Sequence, residues 1–475
     1  MLTNSDGKNK NINKQMVNGN RQRNLPAASA MPQRQNTNKR NQTQYNNSKI
    51  KRQYTQGRPQ QRQTNPQANL RKNDRRNVPT VKNHNNQPVQ NPQKMPVKVK
   101  YYYDYSLLAS VILLAVFGLL MVYSSSQYVA MVNKGDSSYY FNKQAIIFLI
   151  CLIGSFAVSK ICRKGINYRV FRPIANFILI LASMLQILTL VMGLSSHGKS
   201  RWLSIAGISF QPAEITKIAI IIYMAAVISK KGSRISGIKQ VWKELLWVSI
   251  PIAAVLVENL SSGIIAAGIV FVMLFVACKK WKLFAGFASA GFVSIIGLKP
   301  ILHELIVKLN LPRPDQYQLR RVFGWAAPEL FPSDAYQTLQ GLYAIGSGGI
   351  TGQGLGESIQ KFGKLPEAHN DMIFPIVVEE LGLIGAIAIV FLFLFLIYRL
   401  TQIATNANDL FASMICVGII AHISIQVILN IAVVTGVIPN TGVTLPFISY
   451  GGSAILCTMA EITLALNISN CIRLE

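Results

Sequence analysis

Ten apolar stretches follow one another along the chain, at approximately 106–125, 143–160, 174–194, 212–229, 243–258, 261–278, 282–299, 372–398, 410–435 and 448–470. A bilayer core about 30 Å thick takes roughly 20 apolar residues per helix, and a helix satisfies its own backbone polar groups there. The pattern therefore predicts an all-α, polytopic integral membrane protein with ten transmembrane helices. The fifth and sixth stretches are the ambiguous pair. Asn259, Ser261 and Ser262 read either as a turn or as a polar interruption in one longer span.

Loop charge separates the two readings, because short cytoplasmic loops collect Lys and Arg. With ten spans, the clusters around Lys160–Arg172, Lys230–Lys239, Lys279–Lys282 and Arg399 all fall on one side, together with Arg473. Merging spans five and six would move the Lys279 cluster across. Ten spans with both termini cytoplasmic is the expected topology. The segment of about 300–371, between helices 7 and 8, is then a long extracellular loop, which in a tightly looped protein points to function.

Up to about residue 97 the apolar pattern is missing. Asn, Gln, Arg, Lys and Pro dominate, and such a segment buries too little surface to offset the entropy of ordering. Residues 1–100 carry 21 Lys and Arg against Asp6 and Asp74, a net +19 of the chain's +29. The expectation is a disordered basic cytoplasmic tail over 1–100 ahead of a membrane domain over 101–475. The tail shows no signal-peptide pattern. A basic tail beside a membrane reads first as attraction to anionic headgroups, and no nucleic acid is expected as a partner. Half of all residues are hydrophobic and 14% are charged, which excludes a soluble enzyme. The six cysteines form no Cys-x-x-Cys and have no His at metal-ligand spacing, so they read as free thiols.

Ionisable residues within or beside spans are costly and are functional candidates. Three groups stand out. In the first, Lys199, Arg201 and Trp202 precede Gln211-Pro-Ala-Glu-Ile-Thr-Lys217, where Glu214 and Lys217 share a helical face and can pair. This is either a phosphate-binding surface or an interfacial anchor. In the second, Leu365-Pro-Glu-Ala-His-Asn-Asp-Met-Ile-Phe374 ends the long loop and is followed by Glu379 and Glu380. Asp371 there is either a helix N-cap or a general base, with His369 near enough to tune it. In the third, Pro439 to Ser453 combines prolines, glycines and hydroxyls, as irregular backbone lining a cavity would. The Gly352-x-Gly-x-Gly356 run follows no strand and is not read as a nucleotide motif.

At these three groups the chain resembles the SEDS family (shape, elongation, division and sporulation), the FtsW/RodA/SpoVE-type peptidoglycan glycosyltransferases. The matching elements, in family order, are Arg201-Trp202 with Gln211-Pro-Ala-Glu214 and Lys217, then Arg320-Arg321, then Pro366-Glu-Ala-His-x-Asp371. Glu379-Glu380-Leu-Gly and Leu445-Pro-Phe-Ile-Ser-Tyr-Gly-Gly follow, and the resemblance spans about 105–470. It implies ten helices and a lipid II polymerase at the outer face of the cytoplasmic membrane. It also implies a class B penicillin-binding protein transpeptidase and other divisome proteins as partners. Asp371 matches the family's catalytic aspartate. The resemblance makes it the general base of an inverting displacement, with Arg201, Lys217, Glu214, Arg320, Arg321, His369, Glu379, Glu380 and Ser449 as substrate-binding candidates. No cofactor is firmly implied. A divalent cation, Mg or Mn, is compatible, with Glu214, Glu379 and Glu380 as the oxygen donors. Pro-Glu-Ala-His favours the cell-division branch. Glu258-Asn-Leu-Ser-Ser262 departs from a Pro-Asp-Leu-Gly-Thr-like turn, which puts a charged role at 259 in doubt. Two rival functions remain, a flippase or transporter for lipid-linked precursors and a non-catalytic scaffold for a transpeptidase.

Overall fold

The computed structural model describes residues 100–474 apart from 102, 163–166, 193, 197–198, 206–207, 233–234 and 236. The expected tail up to residue 99 lies outside the described residues. Twelve α-helices are described: α1 Tyr105–Lys134, α2 Tyr139–Cys162, α3 Phe171–Met192, α4 Pro212–Lys231, α5 Trp242–Glu258, α6 Leu260–Ala277, α7 Trp281–Lys308, α8 Tyr317–Ala326, α9 Pro332–Gly348, α10 Ile373–Thr405, α11 Leu410–Val434 and α12 Gly452–Ser469. Eight of them, α1–α4, α6 and α10–α12, are long and apolar enough to cross a membrane. The fifth and seventh expected spans are also helices, but α5 has only 17 residues and α7 carries Lys282 and Lys299 at either end of its apolar stretch. The molecule is a predominantly α-helical, multi-pass membrane protein.

The ambiguity at 259–262 resolves into a helix break. Asn259 is extended, and its side-chain oxygen accepts from the amides of Ser261 and Ser262, so it caps α6 while α5 ends on it. Asn caps a helix as well as Asp does. The 259 position is thus a helix cap that carries no charge. The two ends of the described chain meet: β1 (Lys100–Tyr101) pairs antiparallel with β5 (Arg473–Leu474).

Two segments are more structured than expected. The connector between α3 and α4 forms a three-stranded antiparallel meander of β2 (Leu194–Ser196), β3 (Lys199–Ile205) and β4 (Ile208–Phe210). The long loop is largely helical. α7 runs on to Lys308, and α8 and α9 follow, α9 opening on Pro332, a residue pre-set for the first helical turn. The Arg313 side chain forks onto Asp334 at 2.6 and 2.7 Å and ties the start of α8 to that of α9. At Gly324 a Cβ would come within 2.7 Å of the Asp334 backbone, so the two helices pack at glycine distance.

The glycine-rich run of 346–356 has a structural explanation. Helix α10 is broken at Gly382, which adopts φ +68° and ψ −169°. The segment 349–354 is laid into that break. Its carbonyls at Gly349 and Ile350 accept from the Leu383 and Ile384 amides, and its amides at Gln353 and Gly354 donate to the Glu379 and Glu380 carbonyls. A Cβ at Gly352 would sit 2.2 Å from the Glu380 carbonyl oxygen, and one at Gly382 2.3 Å from that of Ile350. Only glycine permits both the left-handed backbone and the approach.

Candidate active site

The site is built on a partly buried turn, Leu365–Met372, that delivers the chain into α10. Glu367 takes a positive φ of 55°, and its carbonyl accepts from the amides of Asn370 and Met372. Asp371 comes out of this turn only 7% exposed. It does not cap α10: the capping position is Met372, without a side-chain cap bond. Its main chain is held by the Asn430 amide of α11, which donates to the Asp371 carbonyl at 2.9 Å and to that of Val443 at 2.7 Å.

The same asparagine therefore joins Asp371 to the loop 440–444, and that loop is fixed from four sides. Ser261 at the start of α6 donates to the Thr441 carbonyl at 2.8 Å. Gln426 of α11 donates to that of Thr444 at 2.9 Å. The Asn440 side chain donates to Gln337 of α9 at 2.7 Å, and Arg321 of α8 reaches the Asn440 carbonyl at 3.4 Å. Gly442 lies between Asp371 and Arg321. A Cβ there would be 3.7 Å from a carboxylate oxygen of Asp371 and 3.9 Å from the Arg321 guanidinium. Arg321 is itself oriented by Tyr317, whose hydroxyl accepts from it at 2.5 Å and whose ring lies 4.6 Å beneath it.

Burial is the main influence on the Asp371 carboxyl, and the neighbouring Glu367 adds to it. Arg321 and a backbone hydrogen bond oppose them, and the balance pushes the group up to about 7. A carboxyl poised there can exist in both protonation states at neutral pH, which suits a general base. His369 does not contribute to that shift. Its ring packs among Tyr140 and Tyr450, and burial pushes its own proton affinity down.

The other candidates fall into two sets. Arg321 stands beside Asp371; Arg320, next in the chain, donates instead to the Pro314 carbonyl at 3.0 Å. Arg201 is on β3, and its side chain lies outside the described residues. The remainder point inward. Glu214 and Lys217 make the expected pair at 2.8 Å, with Lys217 1% exposed, reaching the Gln426 side chain at 3.5 Å. Glu379 accepts from the Ser358 hydroxyl at 2.5 Å and the Ile359 amide at 3.1 Å. Glu380 forms a buried ion pair with Lys361 at 3.0 Å and accepts from Ser124 of α1 at 2.6 Å. These two acids anchor the segment laid into the α10 break. The Ser449 hydroxyl accepts from the Leu445 amide at 2.7 Å and shapes the turn into α12. Glu214, Glu379 and Glu380 do not converge as a metal-ligand set, and among the described residues no group of three or more His, Cys, Asp or Glu could hold a metal ion.

Sequence reasoning missed the polar face of α11. His422, Gln426 and Asn430 recur every fourth residue, which puts them on one side of an otherwise apolar helix. Asn430 serves Asp371, Gln426 joins the loop to Lys217, and His422 meets Glu461 of α12 at 2.9 Å. The i, i+4, i+8 spacing was readable but lay inside an apolar span. Lys361 was missed because its partner is 19 residues away across the broken helix.

A membrane-embedded helical bundle that presents one buried carboxylate, one guanidinium and a rigid irregular loop at one end defines a class of integral membrane protein with a polar site at the bundle mouth. A family model described as "Cell cycle protein", that of FtsW, RodA and SpoVE, matches residues 105–473. The chain belongs to the FtsW/RodA/SpoVE family. It is 36% identical over 372 residues to the "Probable peptidoglycan glycosyltransferase FtsW" of Trichlorobacter lovleyi, covering 77% of this chain and 93% of that relative. It is 35% identical over 371 residues to "Stage V sporulation protein E" of Bacillus subtilis, covering 77% and 96%. Among solved structures, a chain of a peptidoglycan synthase complex is similar with TM-score 0.59 and 23% identity, covering 77% of this chain and 97% of that one. Thermus thermophilus RodA is similar with TM-score 0.54 and 21% identity, covering 77% and 96%.

Proposed function

We propose that this protein is a peptidoglycan glycosyltransferase that polymerises lipid II at the outer face of the bacterial cytoplasmic membrane, in cell division. The basic tail and the C-terminus are cytoplasmic, and a class B penicillin-binding protein is the transpeptidase partner within the divisome. The observation that carries this reading is the Asp371 carboxyl, buried and poised near neutrality beside Arg321 in a member of this family. Ionised Asp371 takes the proton from the 4-hydroxyl of the acceptor sugar as that oxygen attacks the anomeric carbon of the donor. The bond to the undecaprenyl diphosphate breaks in the same displacement, and the α linkage becomes β. Diphosphate leaves without needing a second carboxylic acid, so the remaining demand is for positive charge at the leaving oxygens. Arg321 supplies it beside the base, and Arg201 and Arg320 are the further candidates. Lys217 and Glu214, paired inside the bundle, support the loop 440–444 through Gln426 instead.

The test reconstitutes purified protein with its transpeptidase partner in vesicles containing lipid II, and follows glycan length and leaflet exchange together. Glycan formation without exchange is the expected result. Exchange of lipid II between leaflets with no glycan formed would replace this reading by a transporter.

A further inference from the structure

Beside the Asp371 turn lies a cluster of rings for which the polymerisation chemistry gives no role. The His369 and Tyr140 ring centroids are 4.7 Å apart, those of Tyr140 and Tyr450 4.9 Å, those of His369 and Tyr450 5.8 Å, and those of Tyr139 and Tyr140 5.3 Å. The three tyrosines are half-buried, whereas the imidazole is 6% exposed and its unpaired Nδ1 is fully covered behind them. A buried polar atom left unpaired in a folded protein calls for an explanation. Burial disfavours the charged imidazole.

The cluster is rigid and in register with the base. The Tyr450 amide donates to the His369 carbonyl at 2.9 Å, two residues before Asp371. On α2, Gln144 sits one turn beyond Tyr140 and clamps the same segment, donating to the Ser449 carbonyl at 2.9 Å and accepting from the Gly451 amide at 3.0 Å. Helix α2 thus holds Tyr140 against the Asp371 turn independently of any ligand. Partly uncovered tyrosine surface at 140 and 450 suits a pyranose. The C–H groups of such a ring carry partial positive charge toward the negative face of a π system.

We propose that Tyr140 and Tyr450, backed by the buried His369 ring, form the aromatic platform that binds the sugar ring presented to Asp371. This rests on the polymerase reading. It adds a sugar-recognition surface formed by α2 and the turn that enters α12.

The experiment measures binding with catalysis silenced. Full-length Asp371→Asn protein in detergent is titrated with a fluorescent short-chain lipid II, and the complex is competed with the peptide-free disaccharide diphosphate and, separately, with the free stem peptide. Adding Tyr140→Leu should weaken binding at least tenfold, about 1.4 kcal/mol. Tyr140→Phe, which keeps the ring, should stay within about threefold, roughly 0.6 kcal/mol. The disaccharide diphosphate should displace the probe and the stem peptide should not. Tyr450→Leu repeats the test if Tyr140→Leu does not give a folded protein. Unchanged affinity in a folded leucine variant, or displacement by the stem peptide, overturns the platform while leaving the polymerase reading in place. No binding of lipid II by the Asp371→Asn protein overturns both.

Discussion

Replacing Arg321 by Gln should move the pH dependence of the reaction as well as its rate. The guanidinium and the Asp371 carboxylate stand within 3.9 and 3.7 Å of the same point beside Gly442. Their separation is therefore at most about 8 Å, which at an effective dielectric of about 20 gives about 2 kcal/mol, or about 1.5 pKa units. Arg321 is half-buried, so solvent screening reduces the effect to about one unit. The sign is fixed by Arg321 favouring the ionised carboxyl: without it the group rises from about 7 toward roughly 8. A base works ionised, so at pH 7 the active fraction falls about fivefold beyond any loss of leaving-group stabilisation. The assay is kcat/KM for lipid II polymerisation between pH 5.5 and 9.5, with the position of the rising limb as the readout rather than its height. Arg321→Lys keeps the charge and should hold the limb within about half a unit of wild type. An unmoved limb in Arg321→Gln, or an equal shift in Arg321→Lys, would refute the electrostatic coupling.

Other consequences follow from the same geometry. Because the folded state raises the Asp371 carboxyl above its ordinary 3.8 to about 7, the fold binds that proton more tightly than the unfolded chain does. Stability therefore falls as pH rises from about 4 to 7, and Asp371→Asn should melt higher than wild type at pH 8, by up to about 4 kcal/mol, with the advantage gone at pH 4. Lys361→Met should cost about 3–5 kcal/mol by stranding Glu380 in the interior, and adding Glu380→Leu should recover much of it, as read by thermal melting in detergent. Gly382→Ala forces a left-handed backbone and a contact of 2.3 Å with the Ile350 carbonyl, so it should lower the melting temperature and expose the segment 349–364 to protease.

The helices were legible because their signal is local. A run of apolar residues of span length declares itself, and the i, i+3 spacing of Glu214 and Lys217 sufficed to foresee their pairing. The break at Asn259 could be read from loop charge although its cap bonds could not. What the residues alone left open at Asp371 was the choice between cap and base; in the fold Met372 takes the capping position and the carboxylate is turned toward Arg321. Glu379 and Glu380 show the opposite limit. Acids in a span signal function by cost alone, but their partners Ser358, Lys361 and Ser124 come from a loop and another helix, and no local pattern announces them. The helices α8 and α9 were hidden by the polar composition of their segment, and the meander at 194–210 by its short strands.

The central claim is that Asp371 removes the acceptor proton. Single-turnover polymerisation of lipid II by the protein with its transpeptidase partner, wild type against Asp371→Asn, tests it most directly when lipid II binding is measured on the same preparations. Loss of at least about a hundredfold in rate with binding retained is the predicted result. Glycan formation by the asparagine protein at the wild-type rate would contradict it.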